Sequence, residues 1–382
     1  MKIALITDGI WPYVMGGMQK HSYYLCKYLA KQKIQVTLFH FNQSNLDIQK
    51  LDCFTAEEKK YIHSIIVDFP NKDNLPGHYI RNSKKHAALV FDAMKNSILE
   101  YDFIYTKGFT GWKLIELKSQ GKIKCAPIGV KFHGYEMFQK MPGPKAYLDS
   151  LLLLRKPVKY ISRHADVVFS YGAQITEIIK SIGVKESHII EIPSGVEEEI
   201  VSEKIIPSTN KVKFTYLGRY ERRKGIEELN KAIQGLDFTN YEFHFIGPIP
   251  ENKRLKLPQV FYHGEIRDKN ELKQLLLNFH VLVCPSWSEG FPNVILEGMA
   301  SGLSILATDV GANRLLVNDE TGFLIKKPNV KILQKELKEI ADLDNYTLDV
   351  KRNNALRLIK QKFTWEKISL QLLNEIKACI KK

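Results

Sequence analysis

The sequence predicts two α/β domains, each a doubly wound parallel sheet, set against one another across a cleft. Three observations carry this reading. Short apolar runs alternate with amphipathic helical stretches almost throughout, the pattern of parallel strands joined by helices. Ten such runs are too many for one comfortable sheet, and the pattern restarts near residue 211. A chain of 382 residues is too long for one ordinary domain and comfortable for two.

In chain order, the first set of strand-like runs is Lys2–Thr7, Gln35–His40, Phe103–Tyr105, Pro127–Phe132 and Asp166–Ser170. The second set is Lys213–Gly218, Glu242–Gly247, Val260–Tyr262, Val281–Cys284 and Ser304–Thr308. Helical candidates between them include Gln19–Lys31, Ile226–Gln234, Lys269–Asn278 and Val294–Gly302. The Glu-rich stretch Ser194–Asn210, which carries Pro207, is the natural boundary. The expected layout is therefore a domain over 1–194, a second over 195–363, and a closing amphipathic helix over 364–382. That helix sets Trp365, Ile368, Leu372 and Ile376 on one side. No internal repeat shows.

The composition, 44% hydrophobic and 26% charged, is that of a globular protein with a substantial core. No run reaches the roughly 18 apolar residues of a membrane span. The first residues read as a strand running into Asp8 and Gly9, without the apolar length or cleavage site of a signal peptide. Cys26, Cys53, Cys125, Cys284 and Cys379 show no CxxC spacing and read as buried thiols, so a cytoplasmic protein is expected. The formal charge of +14 is lopsided: residues 1–190 hold 27 Lys and Arg against 16 Asp and Glu, and residues 107–163 hold 12 against 3. Such a field suits an anionic partner, whether membrane lipid, nucleic acid or a phosphorylated substrate; a merely soluble basic face is the plain alternative.

In open α/β sheets ligands bind beyond the carboxyl ends of the strands, which ranks the polar residues by position. First comes the run Pro285 to Gly302. Glu289 falls in the loop after the strand Val281–Cys284, a helix is due near Pro292, and Glu297 lies over a turn into that helix among apolar neighbours. Free amides at such a helix start bind phosphate, and flanking carboxylates can hold sugar hydroxyls. The alternative makes Glu289 a helix cap and Glu297 a solvent-facing residue. Second is Gly218-Arg219 followed by Arg222, Arg223, Lys224 and Gly225, where cations gather before a helix whose dipole disfavours them unless an anion compensates. Not all four can be ligands; Arg219, nearest the strand end, and Lys224, nearest the helix, are preferred. Third is Asp8-Gly9 with Gly16-Gly17, an anion-facing turn or a simple loop. Fourth is His133, directly after a strand, as a site residue or a structural hydrogen-bonder. No histidine pair has metal-ligand spacing, and no GxSxG, HExxH or P-loop occurs.

Together these motifs resemble the retaining GT-B glycosyltransferases of family 4, which include bacterial mannosyl- and glucosaminyltransferases. The resemblance runs in order through Gly16-Gly17, His133, Ala165-Asp166-Val167-Val168, Ile192-Pro193-Ser194-Gly195-Val196, Gly218-Arg219 with Lys224-Gly225, Phe245-Ile246-Gly247, the paired glutamates Glu289 and Glu297, and Thr321-Gly322-Phe323. The two glutamates separated by seven residues around Gly290-Phe291-Pro292-Asn293 are the specific element. The resemblance implies two Rossmann-like domains, an acceptor-binding one over 1–194 and a nucleotide-sugar-binding one over 195–363, with the final helix packed back on the first. It implies that Arg219 and Lys224 contact the donor diphosphate and that Glu289 binds the transferred sugar beside the amides of Gly290, Phe291, Pro292, Asn293 and Val294. Glu297 would hold the ribose, Gly16 and Gly17 would approach phosphate or sugar, and His133 would lie beside the reacting sugar. No metal or other cofactor is needed, and no protein nucleophile stands out. Expected partners are a nucleotide-sugar donor, a glycan or lipid-linked acceptor and an anionic membrane surface on the inner face of the cytoplasmic membrane.

Ser194, Glu197 and Leu315 depart from the commoner Asn, Asp and Glu of the family. Asp342-Leu343-Asp344 imitates the metal-binding DxD of the other glycosyltransferase fold, but it is expected within an amphipathic helix far from any strand end. The rivals are a nucleotide-sugar epimerase-like GT-B enzyme, a non-catalytic member of the family, and a basic nucleic-acid binder. Against the last, the basic segment has no aromatic interleaving and no reader motif, so no nucleic acid is expected.

Overall fold

The computed structural model describes residues 1–70, 77–141, 143, 147–148, 150–208, 211–237 and 240–381. Parts of the basic 107–163 segment (142, 144–146, 149), the last two residues of the 194–210 boundary and Lys382 of the closing helix lie outside the described residues.

Thirteen described strands form two parallel sheets. The first has the order β3-β2-β1-β4-β5-β6-β7, from β1 (Lys2–Ile6), β2 (Gln35–His40), β3 (Ile62–Ile66), β4 (Phe103–Lys107), β5 (Ile128–Lys131), β6 (Val167–Ser170) and β7 (Ile189–Glu191). The second has the order β10-β9-β8-β11-β12-β13, from β8 (Val212–Leu217), β9 (Tyr241–Ile246), β10 (Val260–Gly264), β11 (Val281–Cys284), β12 (Ser304–Thr308) and β13 (Gly322–Ile325). All pairings are parallel, so helices cover both faces and the central strands are apolar on both sides; Ile3 to Ile6 are fully buried.

The three strands that the sequence reading passed over are β3, β7 and β13. All three are short edge strands with partly buried positions. Such strands need no continuous apolar run, which is why the sequence reading passed over them.

The strand order reverses direction between β1 and β4 and again between β8 and β11. A crevice opens at each switch point, and the loops leaving those four strands line it. These loops hold Asp8 to Gly17, Gly108 to Gly111, Gly218 to Gly225, and Pro285 to Pro292.

Two passages of chain run side by side between the sheets. Val196 pairs with Thr364, its amide bonds the Phe363 carbonyl, and the Trp365 amide bonds the Val196 carbonyl. A Cβ on Gly195 would lie 2.9 Å from backbone atoms of Thr364 and Trp365, so this approach needs glycine. Trp365 then starts the helix Trp365–Ile380, and its buried ring packs against His21, Tyr24 and Tyr28 of the helix Gly17–Lys31. Nearby, the buried Glu197 accepts from Lys27, Tyr24 and Lys269, tying the first half to the helix Lys269–Leu276 of the second. The commoner Asp would be one methylene shorter at this three-way bridge.

Three expectations need correction. Asp342 to Asp344 form the turn between the helices Val330–Ala341 and Asn345–Lys362 rather than part of one helix; Asp344 caps the second by accepting from the Thr347 amide. The basic segment is less of a surface than its composition suggests, because Lys107 and Lys131 are buried in the sheet. Cys26 and Cys284 are buried as expected, but Cys53, Cys125 and Cys379 are only partly buried.

Candidate active site

At the second switch point, β11 ends and the chain turns through Pro285–Pro292 into the helix Asn293–Ala300. Pro292 supplies no side-chain cap, which leaves the first amides of that helix free. Glu289 sits inside this turn, only 7% of its side chain exposed. Its Oε1 accepts from Lys224 Nζ at 2.7 Å and from Ser286 Oγ at 2.6 Å, with Arg223 Nη1 at 3.7 Å from Oε2. Burial by itself would raise its carboxyl, but Lys224 and Arg223 hold it below the usual carboxylate range. Glu289 is therefore a buried, ionised acceptor, not a helix cap.

The four cations divide by direction. Arg219, Arg223 and Lys224 all line a cavity of about 300 Å³ together with Glu289 and the Gly290–Val294 turn. Arg222 turns away to Glu227 and Glu228. Arg219 is held by Glu221 at 2.7 Å and is largely exposed, free to swing toward a ligand. Arg223, which the sequence reading did not select, donates to the Ser288 carbonyl at 2.9 Å and also reaches the neighbouring larger cavity. The short 3-10 turn Arg222–Lys224 points Arg223 inward and Arg222 outward, and a reading by distance to helix and strand ends has no access to that rotation.

Across the cleft, the helix Gly17–Lys31 begins with Gly16 as an uncapped N-cap. Gly17 lines both cavities, and a Cβ there would lie 3.7 Å from Asn293 Nδ2, so two helix N-termini face the same space. The two halves also clasp directly. Gln139 donates to the Glu289 carbonyl at 2.6 Å and accepts from its amide at 3.3 Å. A Cβ on Gly290 would fall 1.6 Å from the His133 carbonyl oxygen, so only glycine allows this approach.

Glu297 is placed differently from expectation. It has apolar neighbours in Val196, Ile200, Leu296 and Trp365, but it does not line the cavity that holds Glu289. It faces Lys20 of the opposite half at 3.7 Å, partly exposed, in a small pocket that Asn293 shares. A rim pair of this kind contributes at most about 1 kcal/mol, so it yields readily to a ligand.

The first switch point carries a larger cavity of about 750 Å³, lined by Asp8, Lys107, His133, Glu136 and several aromatic rings. Lys107 is fully buried at the end of β4; its Nζ lies 2.6 Å from His21 Nδ1 and 3.5 Å from His133 Nε2. When Lys107 is protonated it only donates, so both rings accept at those atoms. The proton of His133 is then on Nδ1, 2.7 Å from the Tyr171 hydroxyl, and that of His21 on Nε2, with its ring edge-on to Trp365. Burial and the charges of Lys107 and Lys131 hold both histidines well below their ordinary value, so they stay neutral. Burial also pushes Lys107 well down, opposed by Asp8, whose own carboxyl burial raises and Lys107 lowers. His133 thus lies in a buried network and lines both cavities. Among the described residues, no three His, Cys, Asp or Glu side chains converge to hold a metal ion.

Comparison with known proteins covers both halves. The Glycosyltransferase Family 4 model matches residues 15–200, and the Glycosyl transferases group 1 model matches residues 197–357. The chain is 27% identical over 184 residues to TuaC of Bacillus subtilis, a glycosyltransferase assigned to teichuronic acid biosynthesis, a match spanning 45% of this chain and 46% of that protein. It is 23% identical over 376 residues to the uncharacterized glycosyltransferase MJ1178 of Methanocaldococcus jannaschii, spanning 96% and 95% of the two chains. Its fold superposes on sucrose-phosphate synthase from Thermosynechococcus elongatus with a TM-score of 0.79 at 20% identity, over 100% of this chain and 99% of that one. With both family models matched end to end across two Rossmann-like sheets, the chain is a GT-B glycosyltransferase of group 1, family 4.

Proposed function

We propose that this glycosyltransferase moves a sugar, with retention of its anomeric configuration, from a nucleoside-diphosphate donor to a hydroxyl of a glycan or lipid-linked acceptor. The process served is the assembly of cell-surface polysaccharide, lipopolysaccharide or glycolipid, in line with the similarity to TuaC. The observation that carries the donor reading is the convergence of two uncapped helix N-termini and three cations on the space beside Glu289. Such a place suits a diphosphate, and the same groups stabilise the charge that builds on it as it leaves. Arg219, Lys224 and Arg223 take the diphosphate, Glu289 the hydroxyls of the transferred sugar, and Glu297 the ribose after parting from Lys20. In the proposed reaction the acceptor oxygen bonds the anomeric carbon on the face from which the phosphate departs. The acceptor proton passes to the leaving phosphate oxygen, and no metal is required. Residues 1–194 form the acceptor side, 195–363 the donor side, and domain closure completes the site.

A thermal-shift panel of UDP-, GDP- and ADP-sugars tests this, because a true donor raises stability by mass action. One class shifts the melting temperature, and Glu297→Ala abolishes that shift; a panel with no response sinks the reading. Product assays separate transfer from the epimerase-like alternative, which converts the donor without using an acceptor.

The reading extends to a peripheral site on the inner face of the cytoplasmic membrane. Leu151, Leu152 and Leu153 are exposed beside the exposed cations Lys156 and Lys159, and the adjoining Leu154 lines the large cavity. No described helix is long and apolar enough to cross a membrane. Exposed leucines next to cations suit an anionic bilayer, each cation near the surface contributing about 1 kcal/mol. In flotation, vesicles with anionic lipid carry the protein and neutral vesicles do not; equal behaviour of the two sinks this extension.

A further inference from the structure

The two cavities share one wall, made by Gly17, Met18, His133, Glu136, Arg219 and Arg223. A hydroxyl that attacks the donor sugar brings its oxygen up to this wall. We infer that Glu136 is a catalytic base that carries the acceptor proton from the incoming hydroxyl to the leaving phosphate oxygen. The inference rests on the transferase reading and adds a catalytic residue to it.

A base needs a lone pair that no partner has taken. Arg219 and Arg223 only donate. Both ring nitrogens of His133 are occupied, Nδ1 by the Tyr171 hydroxyl at 2.7 Å and Nε2 by Lys107 Nζ at 3.5 Å. Glu289 lines the smaller cavity alone, and its Oε1 already accepts from Lys224 and Ser286. Asp8 lines only the larger one. Glu136 is the carboxylate that opens on both. The two cations on its wall are engaged elsewhere: Arg219 pairs with Glu221, and Arg223 reaches the Ser288 carbonyl and Glu289.

The backbone sets that carboxylate at the junction of the two halves. Tyr135 takes a left-handed conformation with φ 50°, and its buried hydroxyl meets Ser162 Oγ at 3.0 Å. The turn lays the Glu136 side chain over Gly134, where an added Cβ would fall 2.4 Å from one carboxylate oxygen and 3.0 Å from the other. Gly134 in turn abuts the loop of Glu289, its Cα 3.0 Å from where a Cβ on Gly290 would lie. Gln139 locks the two turns together by donating to the Gly134 and Glu289 carbonyls, each at 2.6 Å. Glu136 is thereby preset against the loop assigned to the donor sugar, as a base acting without reorganisation requires.

In the step itself the acceptor oxygen bonds the anomeric carbon while its O–H bond breaks, and the proton goes to a Glu136 oxygen. The bond from the anomeric carbon to the phosphate oxygen breaks, and its electron pair leaves with the diphosphate. Glu136 then hands the proton to that phosphate oxygen and is a carboxylate again.

Release of nucleoside diphosphate by the full chain tests the inference, with water standing in for the acceptor hydroxyl. The probes are UDP-glucose, UDP-N-acetylglucosamine, GDP-mannose and ADP-glucose, and the wild type turns over at least one. Glu136→Gln keeps the shape and removes the base; it slows release by about a hundredfold or more and leaves the thermal shift by the nucleoside diphosphate unchanged. Glu136→Ala is as slow, and added formate, a small external base, raises its rate by about tenfold or more. A merely structural residue would not respond to formate. A Gln variant within about threefold of wild type, nucleotide binding lost in both variants, or an Ala variant indifferent to formate would overturn the inference. If the Gln variant folds poorly, the formate response of the Ala variant still decides. A wild type that binds nucleoside diphosphate but releases none from any donor would instead remove the transferase reading.

Discussion

The two crevices use one topological device with opposite electrostatics. Where β8 and β11 part, a buried carboxylate, Glu289, is surrounded by Arg223 and Lys224, with Arg219 close by. Where β1 and β4 part, buried ammonium groups, Lys107 and Lys131, are surrounded by neutral rings and carbonyls, and the carboxylates Asp8 and Glu136 face the open space. The first arrangement leaves a surplus of positive charge over the cavity, and the second turns its positive charge inward. Arg219, Arg223 and Glu136 line both cavities, so the contrast lies in what each crevice buries, a carboxylate in one and ammonium groups in the other.

Substituting one lysine on each side gives the largest test of this contrast. Lys224→Met leaves Glu289 buried with Ser286 and the more distant Arg223; breaking a buried pair costs about 3–5 kcal/mol, and the remaining contacts and the partial exposure of Lys224 place this variant at or below the low end, about 3 kcal/mol. Donor binding is lost with it. Adding Glu289→Leu restores much of the stability and none of the binding. Lys131→Met, by contrast, removes a charge that meets the Ile192 carbonyl at 2.6 Å and the Tyr171 ring at 3.9 Å, with no carboxylate partner among the described residues. The relief of desolvation offsets the lost hydrogen bond, and stability changes by about 1 kcal/mol or less. Urea denaturation of the three variants measures both effects, and equal losses for Lys224→Met and Lys131→Met would break the comparison.

A smaller effect follows from the histidines that both halves bury in neutral form. Burial lowers His40 in the first half and His244 and His280 in the second to about 4. Each folded value lies below the unfolded one, so the unfolded chain binds protons first as pH falls. Their stabilising contribution is fully present above about pH 6.5 and is lost toward pH 4, at roughly 1 kcal/mol per pH unit for each histidine. Denaturant midpoints at pH 7 and pH 5 measure the slope, and His280→Asn flattens it. A midpoint that does not move would exclude buried neutral histidines.

How much of the site was legible follows from how it is assembled. Glu289, Gly290 to Val294 and Glu297 lie on one loop and one helix, and Arg219 and Lys224 flank a single turn. Local order along the chain suffices to find them. The Asp8, Lys107, His21, His133 and Tyr171 network draws one group from each of five separate segments. Of these, the sequence marked His133 and the Asp8 turn but had no means of joining them to Lys107, which reads as one more surface cation in a basic run. Arg223 was missed for a related reason, since the choice between inward and outward depends on the rotation of one short turn.

By itself the sequence determined the alternation of strands and helices, the restart near residue 211 and the strand-loop-helix turn that carries Glu289, because these depend on apolar periodicity and on residues close along the chain. The tertiary structure alone decided which charges are buried and which pairs cross the cleft. Gln139 on the Glu289 loop, Lys20 on Glu297 and Lys107 between two imidazoles are contacts between distant segments. Whether a lysine is a surface charge or a buried one depends on what packs over it, and that is a property of the folded chain.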